Sequence, residues 1–124
     1  MIPGSKVFCV EDDHNVAKVL EQQLEYLGYK VCGIAKNAPA ALEGIGKSNP
    51  DFALVDIELE GNLGGLDVGN FLITETDIPF VYMTAHEEQE VLDKARQTLP
   101  DGFLLKPFDT RQLRVAMVMA QRVD

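Results

Sequence analysis

Short apolar runs and amphipathic segments alternate along the whole chain. Five short runs are typical of buried strands: Lys6–Val10, Lys30–Ala35, Phe52–Asp56, Pro79–Thr84 and Gly102–Leu105. After the first run, apolar residues recur at helical spacing until Gly28, which ends the helix as a C-terminal cap would: Val16, Leu20, Leu24 and Leu27. Strict alternation of strand and helix predicts a parallel sheet with helices on both faces, in one domain over residues 1–124.

Four further helices follow from caps and apolar spacing. Their expected bounds are Asn37 to about Ser48, Leu66–Thr76, Glu87–Thr98, and Thr110 to about Arg122. Asp109 and Gln112 form the pattern of a capping box before the last helix. A loop with two glycine groups, GNLGG, lies within Ile57–Gly65.

Composition and charge narrow the class of protein. The 124 residues are 46% hydrophobic and 25% charged, as in soluble globular proteins, and the net charge is −9. This charge argues against direct binding to nucleic acid or to anionic membranes, and it suits divalent cations and basic partners. No apolar run approaches the ~18 residues of a membrane span, and the start MIPGSK is no signal peptide. We expect a cytoplasmic protein in which Cys9 and Cys32 are small buried residues rather than a disulfide or a metal pair.

Charged and hydroxyl side chains follow four of the five predicted strands. The stretch VFCVEDDH places Glu11 and Asp12 after the first strand, and Asp56 ends the third. Thr84 ends the fourth strand and Lys106 follows the fifth. Ligands of open parallel sheets bind beyond the carboxyl ends of the strands, so we expect these five side chains to meet. The second strand ends without such a group, which suits an edge strand.

Three neighbouring carboxylates repel one another unless a cation neutralises them. Hard oxygen ligands suit Mg²⁺, and a carboxylate can also attack a phosphoryl group to form an acyl phosphate. Lys106 and Thr84 would then contact the phosphoryl oxygens together with the metal. Asp13 falls outside this pattern and is more simply an acid at the positive end of the first helix.

Four motifs in register, VEDD, ALVDIEL, VYMTAH and LLKPF, resemble the receiver domain of two-component response regulators over nearly the whole chain. The resemblance implies an α/β, flavodoxin-like, doubly wound (βα)5 fold with strand order 2-1-3-4-5. It implies Asp56 as the phospho-acceptor, taking its phosphoryl group from a histidine kinase or a histidine phosphotransfer protein in a phosphorelay.

The same resemblance assigns roles around Asp56. It implies that Glu11 and Asp12 handle Mg²⁺ and that the backbone carbonyl of Glu58 is a further ligand. It implies Thr84 as the hydroxyl switch, Lys106 as the phosphate-binding lysine before a cis bond to Pro107, and Phe103 at the aromatic switch position. The domain would thus catalyse only its own phosphorylation and dephosphorylation, and would not be a turnover enzyme.

The chain departs from the family pattern in three places. The loop Ile57–Gly65 is about one residue longer than in many receivers and lacks their proline. Glu58 and Glu60 could therefore repel a phosphoryl donor or select it. His86, two residues after Thr84, lies where it could screen the acyl phosphate from water. Phe103 lacks a hydroxyl, so packing alone would drive its rotation.

The last helix has two apolar faces. Leu113, Ala116, Met117 and Ala120 form the core stripe, whereas Val115, Val118 and Met119 lie among Arg111, Arg114 and Arg122. Our hypothesis is that the face of the fourth helix, fifth strand and fifth helix docks a partner or a second copy. Four acids of the fourth helix would form reciprocal salt bridges with these arginines: Glu87, Glu88, Glu90 and Asp93.

Several alternatives stay open. Thr84 could simply end a strand, His86 could be a bystander, Phe103 could be ordinary core, and His14 is expected to be an exposed polar residue. A receiver-like interaction module that is never phosphorylated is one rival function. An Asp-nucleophile phosphatase of the haloacid dehalogenase type is a weaker rival, and a flavodoxin-like cofactor binder is disfavoured by the acids after strand one. The chain could be a stand-alone regulator or one receiver of a longer protein.

Overall fold

The computed structural model describes residues 4–122 and shows five strands alternating with five helices. The elements are β1 Lys6–Val10, α1 His14–Tyr26, β2 Lys30–Ala35, α2 Ala38–Ser48, β3 Phe52–Asp56, α3 Gly64–Glu75, β4 Phe80–Thr84, α4 Gln89–Arg96, β5 Gly102–Leu105 and α5 Thr110–Ala120. All strand pairs are parallel, and the sheet order is β2-β1-β3-β4-β5. The predicted fold class and strand order are confirmed.

Two helix bounds differ clearly from the prediction. Helix α3 begins at Gly64 rather than Leu66, and the Leu66 N–H closes its first turn by donating to the carbonyl of the N-cap Leu63 at 3.0 Å. Helix α4 is shorter than predicted at both ends, since its N-cap Glu88 has extended backbone and Thr98 bonds back to Ala95 in a turn. The ends of β4 and α5 differ by one or two residues, which is ordinary fraying.

The sheet separates two apolar cores. Helices α2, α3 and α4 cover one face through Ala41, Ile45, Val68, Leu72 and Ala95. Helices α1 and α5 cover the other through Leu20, Leu24, Leu113, Met117 and Ala120. Every residue of the central strands β3 and β4 is buried. As predicted, the two cysteines are free thiols: Cys9 is buried and Cys32 is half-buried.

Polar side chains fix where the helices begin. Asp13, predicted only as an acid near the end of α1, is its N-cap and accepts hydrogen bonds from the N–H groups of Asn15 and Val16. The capping box of Asp109 and Gln112 is present at α5, with both hydrogen bonds at 2.8 Å. His14 is exposed as expected.

Strand register brings the predicted site residues to one edge of the sheet. Val10 pairs with Val55, so Glu11 and Asp56 follow at the same level of neighbouring strands. Thr84 pairs with Leu105, the residue before Lys106. The second strand was expected to be an edge strand because no such group follows it, and β2 does lie at the edge of the sheet. The point between β1 and β3 where the strand order reverses is where such folds bind ligands.

A glycine allows α3 to lie against the end of β3. A Cβ atom on Gly65 would lie 2.0 Å from the Asp56 carbonyl oxygen and 2.6 Å from the Ile57 Cα. Any side chain there would push α3 away from the backbone that presents Asp56.

We therefore expect Gly65→Ala to lower the free energy of unfolding by about 1–3 kcal/mol, measured by urea titration. Gly46→Ala is the matched control, because a Cβ at this position of α2 meets nothing within 4 Å. The control should be neutral or stabilised by up to about 1 kcal/mol. Equal stability of the two variants would contradict the proposed close approach.

Candidate functional site

Three carboxylates converge at the carboxyl edge of the sheet. Oxygen atoms of Glu11, Asp12 and Asp56 all lie within 4.8 Å of one another. Glu11 and Asp56 are buried and Asp12 is half-buried. They line a cavity of about 440 Å³ whose remaining walls are Asp13, Val16, Glu58, Ala85, His86 and Lys106. Four of the five side chains that were expected to meet therefore line one cavity, and Thr84 does not.

Lys106 neutralises part of this cluster. Its Nζ donates to Glu11 Oε1 at 2.8 Å and to Asp56 Oδ2 at 2.7 Å. Burial alone would lower the pKa of Lys106, but its two carboxylate partners outweigh burial and raise that pKa, so the ammonium is kept charged. The peptide bond from Lys106 to Pro107 is cis, as the resemblance implied.

Glu11 is the most strongly perturbed acid of the cluster. Burial raises the pKa of Glu11 to about 7, despite the hydrogen bonds from Lys106 and from the Asp13 N–H that favour the carboxylate. The charge of Asp56 acts in the same direction as burial. The cluster therefore holds more negative charge than one lysine balances.

The donor set fits a hard divalent cation. Three carboxylates meet in a cavity with a single ammonium, and oxygen ligands of this kind suit small hard cations. A dication would favour the carboxylate form of Glu11, whose pKa burial raises, and would relieve its repulsion with Asp56. The prediction that these three acids form a cluster able to bind a metal ion is therefore supported.

Asp56 is oriented by its neighbours on both oxygens. Oδ2 accepts from Lys106, and Oδ1 accepts from the Glu58 N–H at 3.1 Å. The side chain thus faces the cavity rather than the core. Such an arrangement presents a carboxylate oxygen beside positive charge, as nucleophilic attack on an electrophilic, negatively charged group requires.

The longer loop after β3 folds into a tight hairpin. Leu59 and Asn62 exchange backbone hydrogen bonds of 2.8 and 3.1 Å, with Glu60 and Gly61 between them at φ values of 52° and 83°. Positive φ at both central residues is typical of a type I′ turn. The Glu60 N–H donates to Asp12 Oδ2 at 2.8 Å, so the turn contacts the carboxylate cluster directly.

His86 bridges two loops at the mouth of the cavity. Its Nε2 lies 2.6 Å from Glu58 Oε2 and its Nδ1 lies 3.0 Å from Glu88 Oε2. Carboxylates only accept hydrogen bonds, so both ring nitrogens donate in this arrangement. The hydrogen bonds with Glu58 and then Glu88 raise the pKa of His86. Glu58 is therefore bonded to His86, and the role of His86 in screening water and that of Glu58 in selecting a donor stay predictions.

Thr84 and Phe103 lie outside the cavity itself. Thr84 is buried at the end of β4, and its Oγ1 accepts the His86 N–H at 2.9 Å. Phe103 is 40% exposed on the edge strand β5, with its ring centroid 5.8 Å from that of Tyr82. Phe103 is thus not ordinary buried core, and the switch roles of both residues stay predictions.

The second apolar face of α5 is confirmed, and the salt bridges expected across a two-fold axis stay a prediction. Val115, Val118 and Met119 are exposed. Within the chain, Arg122 forms a bidentate pair with Asp101, at 3.0 Å for both hydrogen bonds, and also donates to the Asp77 carbonyl. Three acids of the α4 region are likewise engaged locally: Glu88 with His86, Glu90 with Lys94, and Asp93 with Arg96.

Sequence reasoning missed one buried polar contact beside the site. Tyr82, in the middle of β4, is fully buried and its hydroxyl lies 2.6 Å from Thr98 Oγ1. A tyrosine inside the apolar run FVYMT was the available signal, because a buried hydroxyl requires a partner.

Comparison with known proteins gives one consistent family. The profile of the response regulator receiver domain matches residues 7–118. The transcriptional regulatory protein KdpE of Staphylococcus aureus is 29% identical over 119 residues, which are 96% of this chain and 51% of the relative. The probable transcriptional regulator ycf27 of Cyanidium caldarium is 34% identical over 84% of this chain and 41% of its own length. The chain thus spans about half the length of the curated relatives that it matches.

Solved structures agree on the fold. The signal receiver domain of a modulated diguanylate cyclase from Desulfovibrio desulfuricans superposes with a TM-score of 0.87 at 34% identity, covering 94% of this chain and 93% of that one. The N-terminal domain of a response regulator/sensory box/GGDEF protein from Carboxydothermus hydrogenoformans gives 0.82 at 32% identity, covering 93% and 92%. Across residues 4–122, no helix has the length and apolar character to cross a membrane.

Proposed function

The chain belongs to the response regulator receiver domain family, and on that basis we propose that Asp56 accepts a phosphoryl group from a phosphohistidine of a histidine kinase or histidine phosphotransfer protein. The observation that carries the proposal is the position of Asp56, which is hydrogen-bonded to Lys106 and clustered with Glu11 and Asp12. A phosphorelay receiver needs this combination of a nucleophilic carboxylate and nearby positive charge.

In the proposed step, an Asp56 carboxylate oxygen attacks phosphorus while the bond from phosphorus to the donor imidazole nitrogen breaks. The electron pair stays on the imidazole, and an acyl phosphate forms on Asp56. Lys106 already donates to Asp56 Oδ2 and would follow the charge onto the phosphoryl oxygens. Hydrolysis by water would return the carboxylate, so the domain modifies only itself and is not a turnover enzyme.

We assign the metal site to Mg²⁺. Glu11, Asp12 and Asp56 would hold it with the backbone carbonyl of Glu58, and the ion would supply charge that stabilises the phosphoryl oxygens when bound. The Glu60 N–H bonded to Asp12 and the Glu58 N–H bonded to Asp56 orient two of these carboxylates.

The output is a shift of the face formed by α4, β5 and α5. Phosphorylated Asp56 would draw the Thr84 hydroxyl away from the His86 N–H, and Phe103 could then turn into the space beside β4. Apolar side chains are exposed on this face: Phe103, Leu105, Val115, Val118 and Met119. We propose that it binds a partner or a second copy of the chain, and that this domain does not contact nucleic acid directly.

An apolar groove beside the cavity supports the proposed kinase or phosphotransfer partner. Its main apolar walls are Val19, Leu20, Pro107 and Phe108, and it shares Val16, Ala85 and Lys106 with the acidic cavity. A partner that fills the groove would therefore hold its own reactive group beside Asp56. A receiver-like module that works without phosphorylation remains the second candidate, because the exposed apolar face would serve it equally well.

Incubation with acetyl phosphate and Mg²⁺ should add the mass of one phosphoryl group, detected by intact mass spectrometry. Asp56→Asn should abolish the addition because the nucleophile is lost, whereas Asp13→Asn should retain it because asparagine also caps α1. Light scattering on the beryllofluoride-treated protein then measures any change of oligomeric state. Undiminished labelling of Asp56→Asn would place the chemistry elsewhere, and a wild-type chain that takes no label would favour the unphosphorylated module.

Binding of Mg²⁺ gives a separate prediction, measured by isothermal titration calorimetry. Asp12→Asn should weaken Mg²⁺ binding about tenfold or more, since it removes one anionic ligand but keeps an acceptor for the Glu60 N–H. Asp13→Asn makes the same charge change one residue away and should alter the affinity by about twofold or less. Equal weakening by both substitutions would indicate a general charge effect instead of a site.

A further inference from the structure

The hydroxyl of Tyr82 joins strand β4 to the end of helix α4. It lies 2.6 Å from Thr98 Oγ1, and Thr98 Oγ1 itself donates to the Ala95 carbonyl at 2.7 Å. Because the threonine proton is used in that second bond, Tyr82 is the donor in the first. Burial raises the pKa of Tyr82 to about 12, so the donor proton stays in place at physiological pH.

Helix α3 is shaped around this hydroxyl. A Cβ atom on Gly69 would lie 1.7 Å from the Tyr82 hydroxyl oxygen and 3.2 Å from Thr98 Oγ1. Only glycine leaves room for the tyrosine to pass α3 and reach Thr98. Three elements, α3, β4 and the end of α4, therefore meet at one hydrogen bond.

Helix α4 has little else to hold it. Ala95 is its one fully buried residue, and Val91 packs partly against the core. Both Ala95 and the Tyr82–Thr98 bond are at the C-terminal end of the helix. At the N-terminal end, the Glu88 side chain makes no capping hydrogen bond and is instead bonded to His86.

The N-terminal end of α4 is therefore connected to the switch residue. His86 donates its backbone N–H to Thr84 Oγ1, and its ring contacts Glu88, the N-cap of α4. A movement of the Thr84 hydroxyl breaks the first of these hydrogen bonds. The C-terminal end has no such connection, since Thr98 is held by Tyr82 alone among the side chains of the described residues.

We propose that Tyr82 is a positioning residue: its bond to Thr98, seated over Gly69, fixes the C-terminal end of α4 so that a signal at Thr84 moves only the N-terminal end. The anchor makes α4 a lever that pivots about Thr98. The signalling half of this proposal rests on the proposed function, whereas the anchor itself is a property of the unmodified domain.

Amide hydrogen exchange measured by NMR on the unmodified protein tests the anchor. Tyr82→Phe removes only the hydroxyl, and it should speed exchange of the Ala95, Arg96 and Thr98 amides about fivefold, the factor expected for one lost hydrogen bond. Thr98→Val should have the same effect, and Thr98→Ser, which keeps the hydroxyl, should restore wild-type exchange. The control amides are those of Ala17 and Lys18 in the first turn of α1, which open without breaking the Tyr82–Thr98 bond and should not change.

Beryllofluoride with Mg²⁺ then tests the lever. In the wild type, exchange should speed up at residues 86–92 while Ala95–Thr98 stay protected; in Tyr82→Phe, it should speed up along the whole of α4. Exchange at Ala95–Thr98 that is unchanged by Tyr82→Phe, or that rises equally at the control amides of α1, would overturn the anchor. A wild type that does not respond at Asp56 or Thr84 would overturn the proposed function and the lever together, and would leave the measured anchor in place.

Discussion

The ion cluster of Lys106, Glu11 and Asp56 constrains everything else in this molecule. Two buried carboxylates share one ammonium, at 2.8 and 2.7 Å, so the cluster keeps unbalanced negative charge where burial makes it costly. Each carboxylate comes from the end of a different central strand, and the lysine comes from the edge strand β5. The parallel order β2-β1-β3-β4-β5 places these three strand ends at one crevice. The cost of the cluster is offset by the two cores, which bury every residue of β3 and β4.

The strands and the position of the carboxylate cluster were predictable from the sequence, because both depend on the local pattern of apolar and charged residues. Apolar runs followed by Glu11, Asp56 and Lys106 define both the strands and the functional edge, and parallel pairing makes strand ends coincide. The conformation of the Ile57–Gly65 loop was not predictable in this way, because its type I′ turn depends on Glu60 adopting φ of 52°, which a non-glycine residue seldom does. The bounds of α4 were missed for a related reason: Glu87 favours a helix, but the backbone of Glu88 is extended, and Thr98 lies in a turn that bonds back to Ala95.

Long-range contacts also alter what the sequence predicted for the face formed by α4, β5 and α5. Its apolar half follows from the sequence, whereas Arg122 was expected to face a partner and is instead bound to Asp101 and the Asp77 carbonyl. No local pattern reveals such a pairing, since the residues are far apart in the chain. The structure thus divides α4 and its surroundings into a part that is fixed, at Thr98, and a part that is connected through His86 to Thr84. In the function proposed above, a change of charge at Asp56 would reach helix α4 through that second part.

A double-mutant cycle between Lys106 and Asp56, measured by urea unfolding at neutral pH without Mg²⁺, tests the central claim most directly. Lys106→Met should cost about 2–3 kcal/mol in the wild type, because two buried carboxylates lose their common partner. The same substitution should cost at least about 1 kcal/mol less when Asp56 is already Asn, since one of those carboxylates is then uncharged. Costs that add within about 0.5 kcal/mol would show that the two side chains do not interact, and would contradict the account of the site.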